Sequence, residues 1–305
     1  MKQLVVISGK GGTGKTSLVA SFAALAKEAV LADCDVDAAD LHLVVQSSLV
    51  RREEFAGGKR ATIDPGCCTD CGICEDLCRF EAIVHAQAGR RQNPGPPTVD
   101  PIACEGCGVC AWFCPENAIE LVDTTDGEWY LSETRFGPMA HARLDAGGEN
   151  SGKLVSLLRS EARELAANRN IDLVIIDGSP GIGCPVIASI TGADLVLVVT
   201  EPTLSGLHDL ERVLRLTQHF EIPTMIVVNR FDVNEAITRR AEQHARRLGA
   251  HVVGRVRLDP AVTEAQIDGV SVVEHSSCGA AADIAEVWGN VKSRLAARLP
   301  LHEEA

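Results

Sequence analysis

Nine of the twelve cysteines lie between Cys67 and Cys114, and eight of those nine repeat one spacing. The first copy is Cys68-x2-Cys71-x2-Cys74-x3-Cys78; the second is Cys104-x2-Cys107-x2-Cys110-x3-Cys114, followed by Pro115. Three thiolates at successive x2 intervals crowd into one loop and helix start. In runs of this kind they hold one [4Fe–4S] cluster, and the fourth cysteine reaches across to a second. Two copies close the system. The spacing predicts one cluster on Cys68, Cys71, Cys74 and Cys114 and another on Cys104, Cys107, Cys110 and Cys78. Zinc sites also use Cys-x2-Cys, but as two pairs set far apart around one ion. A disulfide scaffold would be a short secreted chain behind a signal peptide. Here Met1-Lys2-Gln3 leads directly into the short apolar run Leu4–Ser8.

Residues 64–123 therefore read as a module of the bacterial ferredoxin kind, internally repeated at an offset of 36 residues. The polar Gly89–Pro97 stretch between the copies reads as an exposed loop. One difference stands out: Arg79 follows Cys78 where the second copy has Pro115. Cys67 is out of register and reads as a bystander. Outside the module, Cys34 and Cys278 read as buried small hydrophobes.

Upstream of the module, Gly9-Lys10-Gly11-Gly12-Thr13-Gly14-Lys15-Thr16 follows the apolar run Leu4–Ile7 and precedes the alanine-rich Thr16–Lys27. Strand, glycine loop and helix start form a P-loop, in which backbone N–H groups of Gly11, Gly12, Thr13, Gly14 and Ser17 face phosphate oxygens. Lys15 is expected on the β/γ-phosphates and the Thr16 hydroxyl on Mg²⁺. Further apolar runs at Val30–Ala32, Leu173–Ile176, Leu195–Thr200, Met225–Val228 and Val252–Val256 alternate with helical segments, one of them Asn150–Arg169. Continuous rather than alternating apolar strands predict an α/β fold with a mostly parallel sheet covered on both faces. The stretch from Asp40 to Ile63 suggests a short helix and a strand or two. The nucleotide domain is then discontinuous, 1–63 and 124–305, with 64–123 inserted.

The form Lys10-Gly-Gly-Thr-Gly-Lys15-Thr16 resembles the deviant P-loop of the family that includes MinD, ParA, the nitrogenase iron protein and the ATP-dependent iron–sulfur scaffolds. Val30-Leu-Ala-Asp33-Cys-Asp35-Val-Asp37 is similar to its first switch, and Leu173-Val-Ile-Ile-Asp177-Gly-Ser-Pro-Gly181 to its second. The order of motifs, with Gly148–Leu154 and Asp177–Pro185 after the cysteine module, resembles MinD-superfamily ATPases with an inserted ferredoxin domain. The resemblance implies that Lys10 crosses a dimer interface to the partner's nucleotide. It further implies that Asp35 orients the attacking water, that Asp33 and Asp177 lie near Mg²⁺ with Thr16, and that Asn229 reads the adenine edge. Asp37 reads as a solvated loop acid. Cys184 follows Asp177 at the spacing of a bridging-cluster ligand in the nitrogenase iron protein, but the second cysteine that protein uses has no counterpart here. Relatives also place a proline before the acid of the segment that here runs Val256-Arg257-Leu258-Asp259.

The chain has 29 basic and 42 acidic residues, a formal charge of −13, which disfavours a nucleic-acid partner. No apolar run is long enough to span a bilayer. Ile284–Leu301 could form an amphipathic helix, yet it ends in Leu301-His-Glu-Glu-Ala305, acidic where an anionic surface wants base. A cytoplasmic ATPase is expected, binding ATP or ADP with Mg²⁺ and two [4Fe–4S] clusters. Its expected partners are a second copy or a paralogous ATPase, and a redox partner. The main expectation is that nucleotide state and dimerisation gate electron transfer. The alternatives are a redox-sensing spatial or assembly regulator of the MinD/ParA kind and a cluster-delivery scaffold.

Overall fold

The computed structural model describes residues 1–85, 95–145 and 151–297. They divide into two compact units. One comprises Met1–Glu53, Trp129–Arg143 and the described chain from Ser151 onward; the other is Glu54–Glu128 with Leu144 and Asp145.

The first unit begins with β1 (Lys2–Ser8), buried along most of its length. Its run ends in the glycine loop and α1 (Lys15–Ala26). Gly14 closes that loop at φ 91°, in the left-handed region, and a Cβ there would lie 2.5 Å from the amide nitrogen of Asn229. β2 (Val30–Cys34) is wholly buried. The stretch after Asp40 supplies α2 (Leu41–Val44) and then one long strand, β3 (Ser48–Ile63), whose residues belong to both units.

The second unit repeats itself in three dimensions. α3 (Ile73–Leu77) is followed by β4 (Ile83–Val84), which pairs antiparallel with β5 (Thr98–Val99), and then by α4 (Val109–Phe113). Gly72 and Gly108 start α3 and α4 at the same φ of 78°. Asp64 and Asp100 each accept a hydrogen bond of 2.8 Å from the backbone two residues on, at Gly66 and Ile102. After each fourth cysteine, Glu81 and Asn117 take the left-handed conformation at φ 51° and 52°. This unit starts ten residues before the 64–123 segment expected from sequence, because β3 and the next strand, β6 (Ile119–Thr134), supply its outer residues.

β6 turns into β7 (Gly137–Leu144) through two residues, and both strands escape a reading by periodicity. Then follow α5 (Ser151–Arg169), β8 (Leu173–Pro180), α6 (Cys184–Ile190), β9 (Leu195–Thr200) and α7 (Leu204–His219). The chain ends with β10 (Thr224–Asn229), α8 (Glu235–Arg247), β11 (His251–Val256), α9 (Pro260–Ile267), α10 (Val272–His275) and α11 (Ala280–Ala296). Thr203, Asn234 and Asp259 cap α7, α8 and α9 with side-chain oxygens. The amphipathic C-terminal helix thus lies within 280–296; the acidic end, residues 89–94 of the Gly89–Pro97 loop and residues 148–150 of Gly148–Leu154 fall outside the described residues.

The sheet order is β11-β10-β9-β1-β8-β2-β7-β6-β3. The strands from β11 through β7 pair in parallel. Phe22 of α1 and Trp288 of α11, with ring centroids 5.1 Å apart, sit in the core on one face. Register decides what this sheet presents at its carboxyl end. Asp33 of β2 is paired with Asp177 of β8, and β8 lies beside β1, which feeds the glycine loop. Open parallel sheets place ligands at that edge, where strands on either side of a crossover leave a crevice.

Candidate functional site

A cavity of about 590 Å³ opens there. Gly11, Gly12, Gly14, Lys15, Thr16 and Asp35 line it together with Asn229, Arg230 and Val256–Asp259. Cβ atoms added at Gly11 or Gly12 would meet nothing within 4 Å, so the loop backbone is left open to an incoming group. The first N–H groups of α1 have no side-chain cap. Unpaired amides, a helix start and an open loop are what a phosphate chain needs.

Lys15 is buried and lies 3.4 Å from Asp35. Burial pushes the Asp35 carboxyl upward, and Lys15 opposes the shift. Asp177 is fully buried, and neither of its oxygens makes a full hydrogen bond. Burial raises its pKa to about 6, although Lys15 and the Thr16 hydroxyl are close enough to draw it back down. A buried carboxylate beside a P-loop threonine suits a hard divalent cation or its water. Asp33 is differently placed. Its two oxygens accept backbone N–H bonds from Asp35 (3.2 Å) and Leu41 (3.1 Å), so it is occupied in shaping the loop between β2 and α2. Asp37 is exposed on the rim of the cavity.

Two further sequence-selected residues are engaged within the chain. The Asn229 amide donates to the carbonyl of Thr13 at 2.8 Å, and its oxygen accepts from the Arg230 backbone. Lys10 points to Glu201 at 2.5 Å, with the Ser205 hydroxyl at 3.1 Å. Glu201, Ser205 and Gln266, whose amide donates to the Ser17 hydroxyl, are not singled out by sequence. An acid at the end of a fully buried strand, Glu201 after β9, is the signal that could have found one of them.

The second unit holds two small pockets. One is lined by Cys68, Cys71, Cys74 and Cys114, the other by Cys78, Cys104, Cys107 and Cys110, each with a cavity volume of about 20 Å³. These are the two sets that the spacing pairs, each taking one cysteine from the other copy. Backbone N–H groups of Ala82 and Ala118 donate to the sulfurs of Cys78 and Cys114 at 3.4 and 3.3 Å. Burial raises the thiols of Cys74 and Cys110. Among the described residues no three His, Cys, Asp or Glu side chains gather tightly enough to hold a single metal ion. Four thiolates on one zinc ion, each about 2.3 Å from it, would have to meet within about 4 Å of one another.

The remaining cysteines divide. Cys34 is buried, as expected, and burial raises its thiol far above the ordinary range. Cys278 is exposed beside Ser276, which corrects the expectation of a buried hydrophobe; its turn lies outside the core that α11 enters. Cys184 is exposed at the start of α6. Cys67 is exposed, and its hydrogen bond to Asp64 raises its thiol. No helix among the described residues is long and apolar enough to cross a membrane.

The family model for the CobQ/CobB/MinD/ParA nucleotide binding domain matches residues 4–272. The uncharacterized protein MJ0578 of Methanocaldococcus jannaschii is 35% identical over 235 residues, covering 76% of this chain and 79% of that protein. Among solved structures, the septum site-determining protein MinD of Pyrococcus horikoshii, complexed with Mg-ADP, superposes with a TM-score of 0.57 at 15% identity, covering 98% of this chain and 99% of that one. The cell division ATPase MinD of Pyrococcus furiosus gives 0.56 at 16% identity, covering 96% and 98%. At those identities the likeness is one of fold.

Proposed function

The chain belongs to the CobQ/CobB/MinD/ParA nucleotide-binding family, and from that premise we propose a Mg·ATP-driven switch, a MinD/ParA-like ATPase that controls partner assembly and carries two redox-sensing cysteine sites. The observation that carries this reading is Asp177, a fully buried carboxylate without a full hydrogen bond, held beside Lys15 and Thr16. Left to itself such a group is costly; a cation shared with phosphate relieves it.

Lys15 and the amides of Gly11–Ser17 would hold the phosphates, with Thr16 and Asp177 turned to Mg²⁺. Phosphate oxygens compete with Asp35 for Lys15. Nucleotide binding therefore frees the Asp35 carboxylate, 3.4 Å away at rest, to orient a water at the γ-phosphate. Lys10, in a closed dimer of two copies or with a paralogous ATPase, would add its charge across the interface, as an arginine finger does. Phosphoryl transfer needs little else from the protein than such positioning and charge.

The two four-cysteine sets fit [4Fe–4S] groups by ligand chemistry, by cross-copy sharing and by the amides aimed at Cys78 and Cys114. Such groups, when bound, supply one-electron chemistry. Cys68, Cys71, Cys74 and Cys114 would hold one and Cys104, Cys107, Cys110 and Cys78 the other. A second reading, electron transfer gated by nucleotide, is favoured by the pairing of these pockets. It differs from the switch in requiring a reduction potential that moves with bound nucleotide; delivery of clusters would instead deplete iron during turnover.

Nucleotide binding and turnover test the switch. Lys15→Ala should lose nucleotide binding, whereas Asp35→Ala should keep ATP bound and hydrolyse it about a hundredfold more slowly. Equal turnover in Asp35→Ala and the parent protein would remove Asp35 from the mechanism. Anaerobically purified protein should hold about eight irons and eight sulfides per chain. Stoichiometric zinc without labile sulfide would overturn the reading of the cysteine pockets. Potentiometry with ADP and with ATP then separates switch from gated carrier.

A further inference from the structure

The 36-residue repeat is an internal control on what its surface is for. The two copies share their backbone closely. Cys68 and Cys104 both donate N–H bonds to the carbonyl four residues before them, at 3.0 and 3.1 Å. α3 and α4 have the same length and follow glycines of the same φ. Ala82 and Ala118 donate to matching sulfurs. Residues that differ between copies at exposed positions are therefore not dictated by the fold.

Along the helix the second copy gains apolar residues, while beyond it the exposed Phe80 and Val84 of the first copy give way to Glu116 and Glu120. Gly66, Glu75 and Asp76 of the first copy correspond to Ile102, Ala111 and Trp112 of the second, and Leu77 corresponds to Phe113. Ile102 is 88% exposed, Trp112 85% and Phe113 56%. Asp76, at the position of Trp112, is also exposed, so a polar residue serves the same backbone there. Indole left in water forgoes roughly 2 kcal/mol or more of burial, and Trp112 and Phe113 are adjacent in the chain and both exposed, a pairing suited to a contact surface.

We propose that Ile102, Trp112 and Phe113 form the docking face for a protein partner whose surface offers an apolar recess rimmed by lysine and arginine. The charge around the patch selects that occupant. From Glu54 to Glu128 the sequence has thirteen acidic residues and five basic ones, and Glu105 and Glu116, close to the patch in sequence, are both exposed. A second copy of this unit would bring like charge to like charge, and an anionic membrane would do the same. A cationic partner gains both the steering and the aromatic anchor. Trp112 lies between Cys110 and Cys114, which line different pockets, so such a partner would sit where the two cysteine sets interlock. This inference does not depend on the nucleotide reading.

Cytochrome c, a basic haem protein with an apolar haem edge among lysines, is a suitable probe. Calorimetry of the intact anaerobic protein at low ionic strength should detect binding that added salt weakens. Trp112→Asp copies the residue that the first repeat already carries, so the fold tolerates it, and an unchanged melting curve and iron content verify this. Its affinity for cytochrome c should fall by about tenfold or more. Trp112→Ala should behave likewise. The proposal is overturned if the parent protein does not bind the probe or if Trp112→Asp binds as tightly. It is also overturned if the loss in that variant is instead of self-association without probe, or of binding to phosphatidylcholine vesicles.

Discussion

The ammonium of Lys10 lies 2.5 Å from a carboxylate oxygen of Glu201, and the hydroxyls of Ser205 and Thr203 stand 3.1 and 3.4 Å from the same nitrogen. The Glu201 side chain is only 14% exposed and also meets Arg230 at 3.5 Å. Lys10 is thus held inside its own chain. A lysine that is to reach another subunit's nucleotide must first leave this partner.

Glu201→Gln removes the charge that retains Lys10. We expect Mg·ATP to drive dimerisation of this variant at protein concentrations about tenfold lower than the parent needs, a change of about 1.4 kcal/mol. Lys10→Ala should bind nucleotide and remain monomeric. Sedimentation velocity measures both. A variant that dimerises no more readily than the parent would show that Glu201 does not restrain Lys10.

Asp177 makes the Mg²⁺-free protein sensitive to pH. Its folded pKa, about 6, is above the value of 3.8 in an unfolded chain, so the native state binds a proton that the unfolded state releases. Stability should therefore fall as pH rises from about 4 through about 6. The buried neighbour Asp33, raised in the same direction by burial and by Asp177, also contributes to that slope. Asp177→Asn should reduce the slope and raise stability near neutrality by roughly 1–2 kcal/mol, while Mg²⁺ ceases to strengthen nucleotide binding. Denaturant unfolding with and without Mg·ADP tests the pair of effects; a variant no more stable than the parent would contradict it.

His141 has the opposite sign. Paired beside Asp33 in the sheet, it stacks between His42 and Tyr130, with ring centroids at 5.6 and 5.0 Å, and its Nε2 is 2.9 Å from Ser132. Burial, with the neighbouring His42, lowers its pKa to about 4. Between about pH 6.5 and pH 4 the unfolded chain takes a proton that the native state refuses, and stability falls with pH. His141→Gln should spare the protein about 2 kcal/mol of the loss between roughly pH 7 and pH 5. An unchanged loss would exclude His141 as its source.

Asn229 tests whether the strand end reads a base or steadies the loop. Its amide bonds the Thr13 carbonyl, next to Gly14, rather than standing free. Loss of one such hydrogen bond, about 1 kcal/mol, should weaken ATP and GTP binding alike in Asn229→Ala, by about fivefold. An effect confined to ATP would make Asn229 a reader of the adenine edge.

Local chemistry was legible in the sequence. Residues a few positions apart cannot be far apart in space, so the glycine loop between an apolar run and a helical one, and the closeness of three cysteines at x2 spacing, could be read locally. The expected grouping of Cys114 with the first three cysteines and Cys78 with the second three matches the linings of the two pockets. β3 was legible only as a strand or two without bounds, and β6 and β7 were not legible. Threonines, glycines and charges break their alternation, and many residues of β3 and β6 are not buried, so no apolar period marks them. Tertiary structure alone decided the rest. Asp33 and Asp177 became neighbours through strand register, which no local pattern encodes, and packing then gave one carboxylate two backbone donors and left the other without a full hydrogen bond. Glu201, Asn229 and Lys10 acquired their partners in the same way, from strands that meet only once the sheet has closed around its hydrophobic core.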